Sequence, residues 1–170
     1  MSKKVYLIDA NSLITPFNFY YSFEFGSRFW DAIKERINNG QIVVLDMVKE
    51  ECMKKKDALS EWVGQIDDVL DHKTAEYVMG YAEVLQYVQN NPCYSDKALN
   101  AWSQDTVADA WLIAVAKARG YTIVTLEGKH GSLNEHKPTA KIKIPDVAAE
   151  FEVETMHLFE MMHELALKLA

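Results

Sequence analysis

The chain has 170 residues, of which 49% are hydrophobic and 25% charged, and its formal net charge is −7 at pH 7. This is the composition of an ordinary globular protein, and we expect residues 1–170 to fold as a single domain. The negative charge argues against a protein that coats nucleic acid through a basic face, but it permits an enzyme that binds nucleic acid through a few local lysines.

Cysteine usage and hydropathy predict the location of the protein. Cys52 and Cys93 have neither the spacing of a metal site nor that of a CxxC motif, as is usual in a reducing compartment. The sequence shows no apolar run of the length of a signal peptide or a membrane span. We therefore expect a cytoplasmic protein without a membrane partner.

Predicted strands and helices alternate along the chain. Short apolar or β-branched runs predict strands at 5–8, 41–45, 121–125 and 141–144. Helical patterns occupy a segment that ends near 38–40, then 47–56, most of 57–103, 106–119 and 156–169. Asp46 is a predicted N-cap, Gly120 a C-terminal cap and Pro145 the start of a helix. This alternation predicts an α/β fold, a three-layer α/β/α sandwich with a mostly parallel central sheet.

Acidic residues stand at the ends of two predicted strands. Asp9 directly follows the first strand in "YLID", and Glu127 lies two residues beyond the third in "VTLE". Parallel strands bring their carboxyl ends to one edge of a sheet, where ligands bind, so we expect both acids at that edge. Ser12 and Thr125 can donate hydrogen bonds there.

Helical segments supply further acidic candidates. Asp105 and Asp109 are four residues apart and would share one face of the predicted helix. Asp109 lies in the apolar stretch "VADAWLIAVAKA" with no Lys or Arg one turn away, so its charge needs another partner. Asp105 either joins this group or interacts with the helix dipole. After the second strand, helical spacing turns Glu51 or Cys52 inward, and Glu50 is the competing candidate among the acids.

A group made of carboxylates alone predicts a particular kind of cation. Oxygen ligands without His or Cys suit Mg²⁺ or Mn²⁺ and not zinc. Several such acids favour phosphodiester cleavage, in which a metal ion activates water and offsets the charge that develops on the phosphate.

Four stretches resemble the motifs of the PIN-domain nucleases. They are "YLIDANSLI", "VVLDMVKEE", "ADAWLIAVAKARGYTIVTLE" and "KIKIPDVAAEFEV", the last resembling the final strand and its turn. The resemblance covers about 1–56 and 104–155, and 57–103 matches only as helices. The chain is most similar to an uncharacterised bacterial branch of PIN-like proteins related to toxin–antitoxin ribonuclease toxins.

The resemblance implies an α/β/α sandwich and a metal-dependent endoribonuclease that cleaves single-stranded RNA. It also implies an antitoxin or a second copy of the chain as a partner. The residues that match the family's metal acids are Asp9, Glu51, Asp109 and Glu127. Supporting roles are expected for Asn11, Ser12, Thr125 and Asp105. The nearest basic residues for RNA contact follow Glu127 and are Lys129, His130 and Lys137.

Other functions remain open at this stage. An aspartyl-phosphate enzyme would need a second acid two residues after Asp9, where Asn11 stands, and a phospho-receiver domain would need an acid pair before the first strand. The stronger alternative is a catalytically inactive PIN-like module that binds protein or RNA. The aromatic stretch 17–30 is either core or a partly exposed partner surface.

Overall fold

The computed structural model describes residues 3–169 and contains a four-stranded sheet. The strands are β1 (Tyr6–Ile8), β2 (Ile42–Val44), β3 (Thr122–Val124) and β4 (Thr155–Met156). Their order is β2-β1-β3-β4, and each pairing is parallel. The strands are short, apolar and almost entirely buried, as expected for a parallel sheet that helices cover on both faces.

The helices cover this sheet in an α/β/α arrangement, which confirms the predicted fold class. Those found within residues 3–169 are α1 (Asn11–Phe19), α2 (Ser27–Asn38), α3 (Asp46–Met53), α4 (Ala58–Gly64), α5 (Ala75–Asn90), α6 (Asp96–Trp102), α7 (Asp109–Arg119), α8 (Ile144–Glu150) and α9 (Leu158–Glu164). In the described part of the chain, none of these helices has the length and hydropathy to cross a membrane.

The relation between β1 and β3 confirms the prediction that places Asp9 and Glu127 at one edge. The two strands are parallel neighbours, with Ile8 opposite Val124. The backbone N–H of Asp9 donates to the carbonyl of Val124 over 2.9 Å, so the ladder continues to the first acid. Both acids therefore follow the carboxyl ends of two adjacent strands.

The predicted strand at 141–144 is wrong. Residues 141–143 form extended chain outside the sheet, Ile144 begins α8, and the fourth strand is β4. The alternation that imitates a strand arises because Ile142 and Ile144 are buried while Lys141 is exposed. Pro145 lies in the first turn of α8, as predicted, because its missing N–H has no helical partner there. The motif "KIKIPDVAAEFEV" therefore contains a helix and ends before the last strand.

Several helix boundaries also differ from the predictions. Helix α7 begins at Asp109 and not near Thr106, so Asp105 lies before the helix and is exposed. The two acids therefore do not share a helical face. Asp46 is the first residue of α3 instead of its N-cap. Gly120 ends α7 in the left-handed conformation, with φ of 68°, as predicted.

Two further helices differ from the predictions, one in its existence and one in its length. Helix α1, which starts directly after the first acid, was not predicted, because Pro16 and polar residues near its start are poor helix signals. At the other end, α9 ends at Glu164, whereas the predicted helix ran over 156–169.

The aromatic stretch 17–30 divides between core and surface. Phe29 and Trp30 are each 1% exposed and belong to the core, where Trp30 packs against Trp62. Phe19 and Phe25, by contrast, are 75% and 86% exposed. The core interpretation therefore holds for part of this stretch, and a partner surface at its exposed part stays a prediction.

Candidate active site at the carboxyl edge of the sheet

Asp9 is a buried carboxylic acid at the end of β1, with 6% of its surface exposed. Its Oδ1 accepts a hydrogen bond from the backbone N–H of Ala10 over 2.7 Å, and its Oδ2 accepts one from Thr125 Oγ1 over 2.9 Å. The pKa of Asp9 is raised to about 8, mainly by burial and then by the negative charges of Asp109 and Glu127, while the two hydrogen bonds oppose the rise.

The polar residues beside Asp9 join the ends of β1 and β3. Asn11 Nδ2 donates to Thr125 Oγ1 over 3.2 Å, and Asn11 Oδ1 accepts from the backbone N–H of Leu126 over 3.0 Å. Ser12 Oγ donates to the carbonyl of Val124 over 3.2 Å. Thr125 thus holds the carboxylate directly, whereas Asn11 and Ser12 act on it by fixing the loop and the neighbouring strand end.

Asp109 enters the same region as the first residue of α7, where it is half-buried. Burial raises its pKa to about 7, and the charges of Glu127 and Glu51 add to this rise. Hydrogen bonding from the Trp102 indole and from its own backbone N–H opposes the rise. Its position at a helix N-terminus also favours the carboxylate form.

Glu51 faces the acids, and Glu50 does not. Glu50 is exposed on α3, while Glu51 is half-buried and its charge acts on Asp109. The Cys52 thiol lies near both Glu51 and Asp9. Its pKa is raised to about 12, mainly by burial, and the charges of these two acids contribute to the rise. Of the two residues that the spacing turned inward, Cys52 is buried and Glu51 is half-buried, and the role of Glu51 stays a prediction.

Glu127 is half-buried beyond the end of β3. Its Oε2 accepts a hydrogen bond from the backbone N–H of Ile144 over 2.8 Å, at the start of α8. Its own backbone N–H donates to Thr125 Oγ1 over 3.2 Å. The carboxylate is thus held by α8, and its charge acts on both Asp9 and Asp109.

These four acids form a set of carboxylates without a cationic partner. No ion pair found within residues 3–169 includes any of them. Buried acids in this state need a counter-charge, and a donor set made of oxygen atoms fits a hard divalent cation. No three of these acids have ligand atoms that all lie within 4.8 Å of one another.

A second group, Asp46, Asp71 and His72, does have ligand atoms within 4.8 Å of one another, and the described chain contains no other such group. Asp46 follows β2 at the same edge of the sheet, and its two carboxylate oxygens lie 2.7 and 2.9 Å from His72 Nδ1. Two carboxylates and one imidazole would suit Mn²⁺ better than Mg²⁺. A hydrogen bond from Nδ1 to Asp46 accounts for the same contact without a metal ion.

This second group was not predicted, for two reasons. Asp46 ends a β-branched strand as Asp9 does, but it was assigned to a helix cap. His72 lies 26 residues away, on a loop that runs beside β2 through bonds from Leu70 N–H to the carbonyl of Val44 and from Asp46 N–H to the carbonyl of Leu70. Such pairing has no local sequence signal.

The remaining predicted residues lie further from the acids or have other partners. Asp105 is exposed, and its charge acts on Tyr81 and is not among those that raise the pKa of Asp9 or Asp109. His130 is half-buried and contacts Asp146 of α8 through Nδ1 and its backbone N–H. The remaining basic candidates in this loop are exposed, namely Lys129 and Lys137.

The arrangement of strands and helices is similar to that of a known structure. A chain of the crystal structure of VapBC2 from Rickettsia felis bound to a DNA fragment from their promoter superimposes with a TM-score of 0.53. The alignment covers 90% of this chain and 98% of that chain at 13% sequence identity, so the likeness is one of fold. No curated protein sequence matches the chain. A family model matches residues 6–169, and the chain therefore belongs to the family described as "Domain of unknown function (DUF4411)".

Proposed function

We propose that this protein is a metal-dependent endoribonuclease that cleaves single-stranded RNA. The observation that carries the proposal is Asp9, which is buried at the carboxyl end of β1, held by Thr125 and acted on by the charges of Asp109 and Glu127. No ion pair found within residues 3–169 includes it. The PIN-like fold supports it, since ligands of parallel sheets bind at this edge. The fold likeness to a chain of the VapBC2 complex is consistent with it.

In this proposal Asp9, Glu51, Asp109 and Glu127 hold one or two Mg²⁺ or Mn²⁺ ions. A bound ion of this kind supplies an activated water and offsets charge on the phosphate oxygens. The chain contributes orientation: Thr125 fixes one oxygen of Asp9, and α8 fixes one oxygen of Glu127. Because the pKa values of Asp9 and Asp109 are raised to about 8 and 7, these acids release protons when they bind a cation at neutral pH.

The proposal extends to partners and location. The resemblance to PIN nucleases supports a toxin inhibited by an antitoxin protein, a homodimer as a further assembly, a single PIN-like domain over 1–170 and a cytoplasmic location. The alternative function is a catalytically inactive PIN-like module that binds protein or RNA. The alternative metal site is the Asp46, Asp71 and His72 group, which the geometry favours by its closer spacing.

The experiment that tests the activity uses two neighbouring glutamates of α3. Purified protein, free of any co-expressed partner, is incubated with a labelled pool of single-stranded RNA and Mg²⁺, Mn²⁺ or EDTA. Glu51→Gln should lose at least about 100-fold in cleavage rate, equivalent to about 2.7 kcal/mol of transition-state stabilisation. Glu50→Gln makes the same chemical change at an exposed position and should cleave like the wild type.

Two results would reject the activity or its site. Wild type that binds metal but cleaves in no condition would favour the binding module. Equal cleavage by wild type and Glu51→Gln would mean that the activity does not come from these acids.

A further inference from the structure

We propose that the cavity beside Glu127 binds one unpaired base of the RNA, next to the phosphate that is cleaved. This inference rests on the proposed function and specifies where its substrate lies. The cavity has a volume of about 480 Å³ and opens between α6, the loop after β3 and the chain that precedes α8. Its size falls within the range of about 300–1,000 Å³ that is usual for small-molecule pockets.

The walls of the cavity suit a flat aromatic ring. Trp102 and Ile142 are buried and Leu126 is half-buried, so apolar side chains form its inner surface. Ala140 and Gly128 line its exposed side, where small residues leave room for a ligand. Bases stack on aromatic and apolar side chains when they are not paired, whereas a base inside a duplex could not enter such a pocket.

Two side chains connect the cavity to the acids. Glu127 lines the cavity and raises the pKa of both Asp9 and Asp109 by its charge. Trp102 also lines it, and its indole N–H interacts with Asp109. A ring seated here would therefore lie beside the acids, as the base next to the scissile phosphate must.

The lysines that line the cavity are consistent with a nucleotide as its ligand. Lys141 and Lys143 line the same cavity, and the ion pairs found in residues 3–169 include neither of them. In a chain with a net charge of −7, Lys141 and Lys143 are the cationic side chains that line this cavity, and they can contact an anionic group of the ligand. The apolar wall accepts the base, and the lysines offset the charge of the flanking phosphates.

The test fills the cavity from its exposed side. Ala140→Trp places a large ring in the opening, and Gly128→Phe does so independently, because a Cβ at Gly128 meets no atom within 4 Å. Ala118→Trp is the matched control, at an exposed position of α7 outside the cavity. Cleavage ends from a random-sequence RNA pool with Mn²⁺ are sequenced for each protein.

Wild type and Ala118→Trp should share a base preference at one position that flanks the cut. Ala140→Trp and Gly128→Phe should lose this preference and raise KM by about ten-fold, the contribution of one stacked base. Lys141→Ala should raise KM and reduce the dependence of binding on salt, with Lys168→Ala as the control at an exposed lysine elsewhere. Unchanged base preference and KM in both cavity-filling variants would overturn the inference.

A binding measurement separates this inference from the proposed activity. Asp9→Asn is titrated with labelled eight-nucleotide homopolymers of each base, alone and combined with Ala140→Trp. If wild type cleaves no RNA but Ala140→Trp still removes a difference in affinity among the homopolymers, the nuclease proposal fails and the base pocket stands. If the homopolymer affinities do not respond to Ala140→Trp, the base pocket fails whether or not RNA is cleaved.

Discussion

Replacing Asp109 by Asn should stabilise the metal-free protein at high pH. The pKa of this acid rises from 3.8 to about 7 on folding, mainly because of burial and then because of the charges of Glu127 and Glu51. Each pKa unit corresponds to about 1.36 kcal/mol, so ionisation of Asp109 costs the folded state up to about 4 kcal/mol. Asparagine keeps the size of the side chain and removes that charge.

The sign of the effect follows from proton binding. Between pH 4 and pH 7 the folded protein retains a proton on Asp109 that the unfolded chain has lost, so wild-type stability falls as pH rises through this window. The Asp109→Asn side chain does not ionise, so the variant lacks this fall in stability. Its free energy of unfolding relative to wild type should therefore increase by up to about 4 kcal/mol from pH 4 to pH 8.

Urea unfolding in EDTA at pH values from 4 to 8 measures this difference. Glu50→Gln removes an exposed acid on α3, and its difference from wild type should stay nearly constant with pH. An Asp109→Asn protein that is less stable than wild type at pH 8 would refute the reasoning. It would show that hydrogen bonds to the carboxylate outweigh its burial and the neighbouring charges.

Three further changes test other parts of the site and fold. Mn²⁺ at 100 times its dissociation constant should stabilise wild type by about 2.7 kcal/mol in thermal unfolding. Asp109→Asn should lose this stabilisation by Mn²⁺, and His72→Asn should keep it. The opposite pattern would assign the metal to the group of Asp46, Asp71 and His72. Thr125→Val removes the hydroxyl that donates to Asp9 and should raise the pKa of that acid further, so that Mn²⁺ binding by calorimetry shifts to higher pH; an unchanged pH profile would contradict this. Gly120→Ala should destabilise the protein by about 1 kcal/mol in urea, because φ is 68° at this position, and a stabilised variant would contradict the left-handed cap.

The carboxyl edge of the sheet was predictable because its signal is local. Apolar runs that end in Asp9 and "VTLE" identify both strands and the residues that leave them, and parallel pairing then brings these residues together. The acid on α7 was found for a similar reason, since Asp109 stands next to an apolar helix without a cation nearby.

The errors occurred where tertiary contacts decide the local structure. The run "KIKI" alternates because Ile142 and Ile144 are buried, yet Ile144 begins α8 with Pro145 in its first turn, so the run does not form a strand. Asp46 and His72 meet because a loop runs beside β2, and periodicity carries no information about that contact. The cavity beside Glu127 likewise combines three separate segments, 98–102, 126–128 and 140–143, which only the folded chain brings together.

Cleavage of a mixed single-stranded RNA pool by wild type and Asp9→Asn tests the central claim most directly. Asp9→Asn keeps the shape of the side chain and removes one anionic ligand from the acid group. With Mg²⁺ or Mn²⁺, wild type should cleave and Asp9→Asn should lose at least about 100-fold in rate, and EDTA should abolish cleavage by both. Equal cleavage by the two proteins, or cleavage that persists in EDTA, would contradict the account.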